Sequence, residues 1–81
     1  MNLKSHFLIA RESKINIKKH YLITFLNYLN LKEGEGVPVI AISSHLNIGE
    51  GFTYKLLDEY LQNSDDYEYA IIDGIPSIVK V

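Results

Sequence analysis

The spacing of the apolar residues changes once along this chain, and that change limits what it can fold into. Between Ile17 and Leu61 they recur at helical intervals, as on helices that each lay one stripe against a core. From Tyr67 onward Tyr67, Tyr69 and Ile71 alternate with Glu68, Ala70 and Ile72, the period of a strand. Asp73-Gly74-Ile75-Pro76 then supplies a turn, and residues 77–81 form a returning strand. The pattern predicts an α+β domain with a three-helix core and a C-terminal hairpin.

Local signals place the elements. Asn16 reads as an N-cap for a first helix with Ile17, Tyr21, Leu22, Phe25, Leu26 and Leu29 on one stripe and Lys18, Lys19, Thr24, Asn27 and Asn30 on the other side. This helix is expected to end near Leu31, before the turn Gly34-Glu35-Gly36. Val37-Pro38-Val39 reads as a very short edge strand, because Pro38 has no N–H for a ladder. A short helix is predicted over 40–46, closed by Asn47 in the left-handed conformation, with Ile48 as a buried plug. Gly49 caps a third helix over 50–62, whose stripe is Phe52, Leu56, Leu57, Tyr60 and Leu61. The expected core is Leu22, Phe25, Leu26, Leu46, Ile48, Phe52, Leu56, Leu57 and Leu61. Residues 77–81 are expected to form an exposed sheet edge. Residues 6–11 fit both a short strand and a helical turn; the strand is favoured, because Ile15 and Ile17 alternate with polar residues after it. Residues 1–15 are therefore read as an N-terminal extension of a single domain spanning 1–81.

Size and composition exclude several functions. A chain of 81 residues buries only about 60% of its unfolded surface, so six Tyr and three Phe are a useful share of its core. There is no Cys, which removes disulfides, thiolate metal sites and thiol catalysis together and suits a reducing, cytoplasmic compartment. The longest apolar run, Val37 to Ile42, is interrupted by Pro38 and spans no membrane. An enzyme with its own deep pocket is not expected.

The net charge of −2 hides an asymmetry: residues 1–20 carry +4 and residues 21–81 carry −6. Such a split suits an anion-contacting surface at one end, and equally a solvated basic edge that balances an acidic body.

The order helix, tiny strand, short helix, turn, longer helix and hairpin resembles a winged helix-turn-helix domain. The stretch Ile42-Ser43-Ser44-His45-Leu46-Asn47-Ile48-Gly49-Glu50-Gly51-Phe52-Thr53-Tyr54-Lys55-Leu56-Leu57 is similar to the helix-turn-helix core of small bacterial and phage regulators. In that resemblance Leu46, Ile48, Thr53 and Leu56 take the buried positions, and Asn47 stands where the family usually has glycine. The start of the chain also resembles plasmid and phage replication-initiator winged helices.

The resemblance implies double-stranded DNA as partner, with the third helix in a major groove. Its outward positions are Gly49, Glu50, Gly51, Tyr54, Lys55 and Asp58. Lys55 can reach a phosphate or a guanine edge, and Tyr54 a phosphate or a thymine methyl. Gly49 and Gly51 allow close backbone approach. Glu50 can accept from a cytosine amine, or it can simply complement the helix dipole. Arg11, Lys14, Lys18 and Lys19 supply phosphate contacts from the first helix and its approach. Two departures stand out. The third helix has no Arg, and the hairpin carries Asp65, Asp66, Glu68 and Asp73 where DNA-binding wings carry bases.

No catalytic or metal constellation accompanies these features. His6, His20 and His45 are scattered, and Ser43-Ser44-His45 places a hydroxyl and an imidazole on adjacent helix positions that do not face each other. Asp58-Glu59 and Asp65-Asp66 read as solvated charge. No cofactor is expected. The sequence therefore points to a non-enzymatic regulator of transcription, or of replication on a mobile element, that binds DNA as a homodimer. The alternative is a winged-helix interaction module whose acidic hairpin binds a protein.

Overall fold

A computed structural model describes residues 17–81. The expected strand over 6–11, the Asn16 cap, His6, Arg11 and Lys14 lie outside them. Helix α1 covers 17–29 of the described residues. It is followed by β1 (Gly36–Pro38), α2 (Val39–Leu46), α3 (Glu50–Gln62), β2 (Tyr67–Ile72) and β3 (Ile75–Lys80). The strands form one antiparallel sheet in the order β1-β3-β2. This α+β arrangement is compatible with a winged-helix layout.

Each boundary has a local cause. α1 stops at residue 29, short of Leu31, because Asn30 adopts a left-handed φ of 49°, which asparagine tolerates. Asn47 closes α2 in the same way, at φ 54° and ψ 51°. Its N–H and that of Ile48 turn back onto the last carbonyls of α2, with Ile48 N–H reaching Ser43 O at 3.1 Å. Pro38 both ends β1 and precedes α2, with φ −62° and ψ 141°; having no N–H, it suits a strand that lies at the sheet edge. Asp73 and Gly74 have φ of 52° and 80°, the two positive values that a tight two-residue hairpin turn requires.

The core gathers one stripe from each helix over one face of the sheet: Leu22 and Leu26 from α1, Val39, Ile42 and Leu46 from α2, Leu56 and Leu57 from α3, with Val37 and Ile78 beneath. Five of the nine residues expected in the core, Leu22, Leu26, Leu46, Leu56 and Leu57, are buried. Phe25, Ile48, Phe52 and Leu61 are instead half-buried and pack around it. In a chain this small the flanks of each stripe reach the surface before another element covers them. Buried among the apolar side chains is a polar pair. Ser43 and Thr53 hydroxyls lie 2.8 Å apart, and Thr53 Oγ1 also donates to Gly49 O at 2.9 Å. Since Thr53 spends its one proton on Gly49, Ser43 donates to Thr53. This contact ties α2 to α3 across their turn.

One expectation fails in the sheet. Residues 77–81 are not an exposed edge, because β3 is the central strand. It pairs with β1 from Gly36↔Val79 to Pro38↔Ser77 and with β2 from Tyr67↔Lys80 to Ile72↔Ile75. The loop before β1 extends the first ladder: Gly34 N–H reaches Lys80 O at 2.9 Å and Lys80 N–H reaches Glu35 O at 2.8 Å. Val81 N–H closes the other side on Asp66 O at 2.9 Å. Among the described residues the edges are β1 and β2. Gly36 is needed at the β1 crossing, since a Cβ there would stand 2.7 Å from Ile72 Cδ1 and 2.9 Å from Ile78 O.

Candidate nucleic-acid interface

α3 divides cleanly into two sides. Thr53, Leu56 and Leu57 are buried against the rest of the domain, whereas Glu50, Gly51, Lys55, Asp58, Glu59 and Gln62 are exposed. No side chain caps its N-terminus, so backbone donors of the first turn are left to solvent or a ligand. Gly51 has open space around its Cα. Lys55 forms no hydrogen bond or ion pair with any described residue. Tyr54 is half-buried and leans on Tyr69 of β2, with ring centroids 6.1 Å apart.

Two of the three acids of α3, Asp58 and Glu59, are engaged. Glu59 receives Lys19 Nζ at 3.0 Å, joining α1 to α3. Asp58 accepts the Tyr69 hydroxyl at 2.6 Å, joining β2 to α3. Burial first, then this hydrogen bond and the carboxylate's charge, push the Tyr69 phenol well above its ordinary value. Tyr67, stacked obliquely on Tyr60 and roofed by Lys80 Nζ at 4.9 Å, is also raised, by burial and then by Tyr60 and Asp66. The tyrosines of β2 thus cover the domain's own third helix.

The first-helix lysines do not simply face away from the stripe. Lys18 Nζ donates to Leu46 O at 3.1 Å, at the C-terminus of α2, and passes Tyr21 at 5.8 Å. A cation there complements the helix dipole, and its long stem allows the head to cross to another element. Lys18 also borders a depression with Asn47, Gly49 and Phe52. It therefore brings positive charge beside the α2–α3 turn, while Lys19 sits further along α3, paired with Glu59.

Glu50 and Tyr54 line a cleft with Ile40 and the hairpin residues Gly74, Ile75 and Pro76. A second, polar depression beside it is bordered by Ile40, Ser44, Asn47 and Glu50. Ile40 and Ser44, four residues apart, lie on the outward face of α2, and Asn47 follows at its C-cap. The sequence offers Ser44 only as a hydroxyl beside His45 and Asn47 only as a cap, and marks none of the three as a DNA contact. Ser43, by contrast, points into the core, so no Ser-His arrangement forms with His45, whose ring stacks on Phe25 at 4.0 Å. Among the described residues no cluster of His, Asp or Glu is placed to hold a metal ion, and no helix is long and apolar enough to cross a membrane.

Comparison with protein-family models, with curated proteins and with solved structures returned no match.

Proposed function

We propose that this chain is a winged-helix DNA-binding protein, a regulator of transcription or of replication on a mobile element, acting as a dimer. The observation that carries this reading is the division of α3: one side is core, and the other presents Gly51 and an unpaired Lys55 free of every other described element. Seated in a major groove, α3 places Glu50, Gly51, Tyr54 and Lys55 at base edges and phosphates. Ser44 and Asn47 on α2 and Lys18 on α1 flank that contact, and the two-residue turn at Asp73-Gly74 lies at the same end of the domain as the start of α3. The pairing of Glu59 with Lys19 offsets one of the three acids that α3 would bring near phosphate. Arg11 and Lys14 add basic charge from the N-terminal segment.

A second reading has its own observation. Residues 17–81 hold five lysines against nine acids, and Lys19 and Lys80 are already joined to Glu59 and Asp66. A surface of this sign suits a basic protein partner docked on the hairpin. Two charge variants separate the readings. On DNA, Lys55→Ala weakens duplex binding and reversing Asp65, Asp66 and Glu68 to lysine strengthens it. On a protein partner, the lysine variant changes little and the acidic reversal abolishes capture.

A further inference from the structure

The sheet has two edges, and they differ. β1 is three residues long and ends in Pro38, whereas β2 runs for six residues, Tyr67–Ile72. Around a two-residue turn the flanking pair, here Ile72 and Ile75, exchanges both backbone hydrogen bonds, and the pairs then alternate. The Val81 N–H on Asp66 O fixes the same parity at the far end. The backbone groups of Glu68, Ala70 and Ile72 therefore point into the sheet, and those of Tyr67, Tyr69 and Ile71 point out of it. Open edges are ordinarily protected by lysine, proline, a bulge or a covering element. β2 has no lysine or proline, its register with β3 is unbroken, and no described element pairs with its outer side. Its side chains are apolar or aromatic except for Glu68, and Ile71 is 76% exposed.

We propose that β2 seats a second copy of this chain, antiparallel to its own counterpart about a two-fold axis at Tyr69. The strand fits itself. With Tyr69 opposite Tyr69, Tyr67 meets Ile71, and the three outward residues of each strand exchange about six hydrogen bonds. Glu68, the one charge in the strand, then faces Ala70. A shift of one step that centres on Glu68 instead sets the two carboxylates against each other, which disfavours it. Beyond the paired residues, Asp73 of each copy is brought towards Asp65 of the other, so added salt strengthens this dimer. That sign is opposite to DNA binding, which salt weakens. The proposal rests on the dimer in the reading above and not on DNA.

The test is the mass of the full chain by light scattering from about 10 μM to about 1 mM at low and high salt, with amide exchange followed at Tyr67, Tyr69 and Ile71. Two variants accompany it. Ile71→Pro removes an outward N–H without touching the β2–β3 ladder, and Ile71→Lys supplies the charge that edge strands usually carry. The expected mass climbs from 9.3 kDa to twice that, more readily in high salt, as the three amides become protected. Either variant raises the dissociation constant at least about tenfold. A mass of 9.3 kDa throughout overturns the proposal. So does a dimer that survives in Ile71→Lys, or one whose Tyr69 and Ile71 amides exchange freely. Duplex titration of the same samples reads the DNA function separately: a monomer that binds duplex overturns the dimer alone.

Discussion

The Tyr69 hydroxyl of β2 donates a 2.6 Å hydrogen bond to the Asp58 carboxylate of α3, and this contact fastens the hairpin to the helix proposed to enter DNA. Its pH dependence has a definite sign. The folded state raises the Tyr69 phenol above the ordinary value of 10.0, so it favours the neutral form. The stabilisation is complete below pH 10.0 and is lost as pH rises through the higher folded value. Urea melts of the parent and of Tyr69→Phe should differ by a constant amount up to about pH 10 and converge above it. Convergence on acidification instead would show that the phenol is not the titrating partner.

The buried hydroxyl pair gives a second prediction. Thr53→Val keeps the shape but leaves the buried Ser43 hydroxyl without its acceptor, at a cost of about 1–3 kcal/mol. Ser43→Ala alone is milder, since Thr53 still donates to Gly49 O. The double variant should be more stable than the sum of the two losses implies, a coupling that chemical denaturation of all four proteins measures.

A third concerns Gly36. Its added methyl in Gly36→Ala meets the backbone carbonyl of Ile78, which cannot swing aside as a side chain does. The expected loss is about 1–3 kcal/mol, together with faster amide exchange at Lys80, whose N–H bonds to Glu35 O next to Gly36. A stability equal to the parent's would show that β1 moves away without penalty.

These sites also show how far the sequence could be read. Asn47, Asp73 and Gly74 announce their turns, because few residues accept positive φ. Asn47 as a closing residue and the apolar stripe of 52–61 likewise placed α2 and α3 to within a residue. Strand order was less accessible. Nothing in the alternation of 75–80 tells whether β3 lies at an edge or between two strands, since the deciding partner, β1, is only three residues long and remote in sequence. The lysines misled for another reason. A basic residue opposite an apolar stripe reads as solvent-facing, yet the long stems of Lys18 and Lys19 reach Leu46 O and Glu59 on other elements. Of the candidate contacts, Lys55 keeps the exposed place that its spacing implies, and Ser44 and Asn47 emerge only once α2 and α3 are set side by side.

The stabilising role of those lysines separates them from Lys55. Lys19→Ala removes an exposed ion pair, and its effect on stability should stay within about 1 kcal/mol. Thermal melts at low and high salt check this: the small difference from the parent should shrink as salt rises.

The central claim, that α3 carries a DNA contact through Lys55, is tested most directly by titrating parent and Lys55→Ala with duplex DNA over a series of salt concentrations. The account predicts parent binding that falls as salt rises, and a variant about 1 kcal/mol weaker whose salt slope is lower by about one unit. Equal binding of parent and variant at every salt concentration, or no binding of the parent at the lowest, would contradict it.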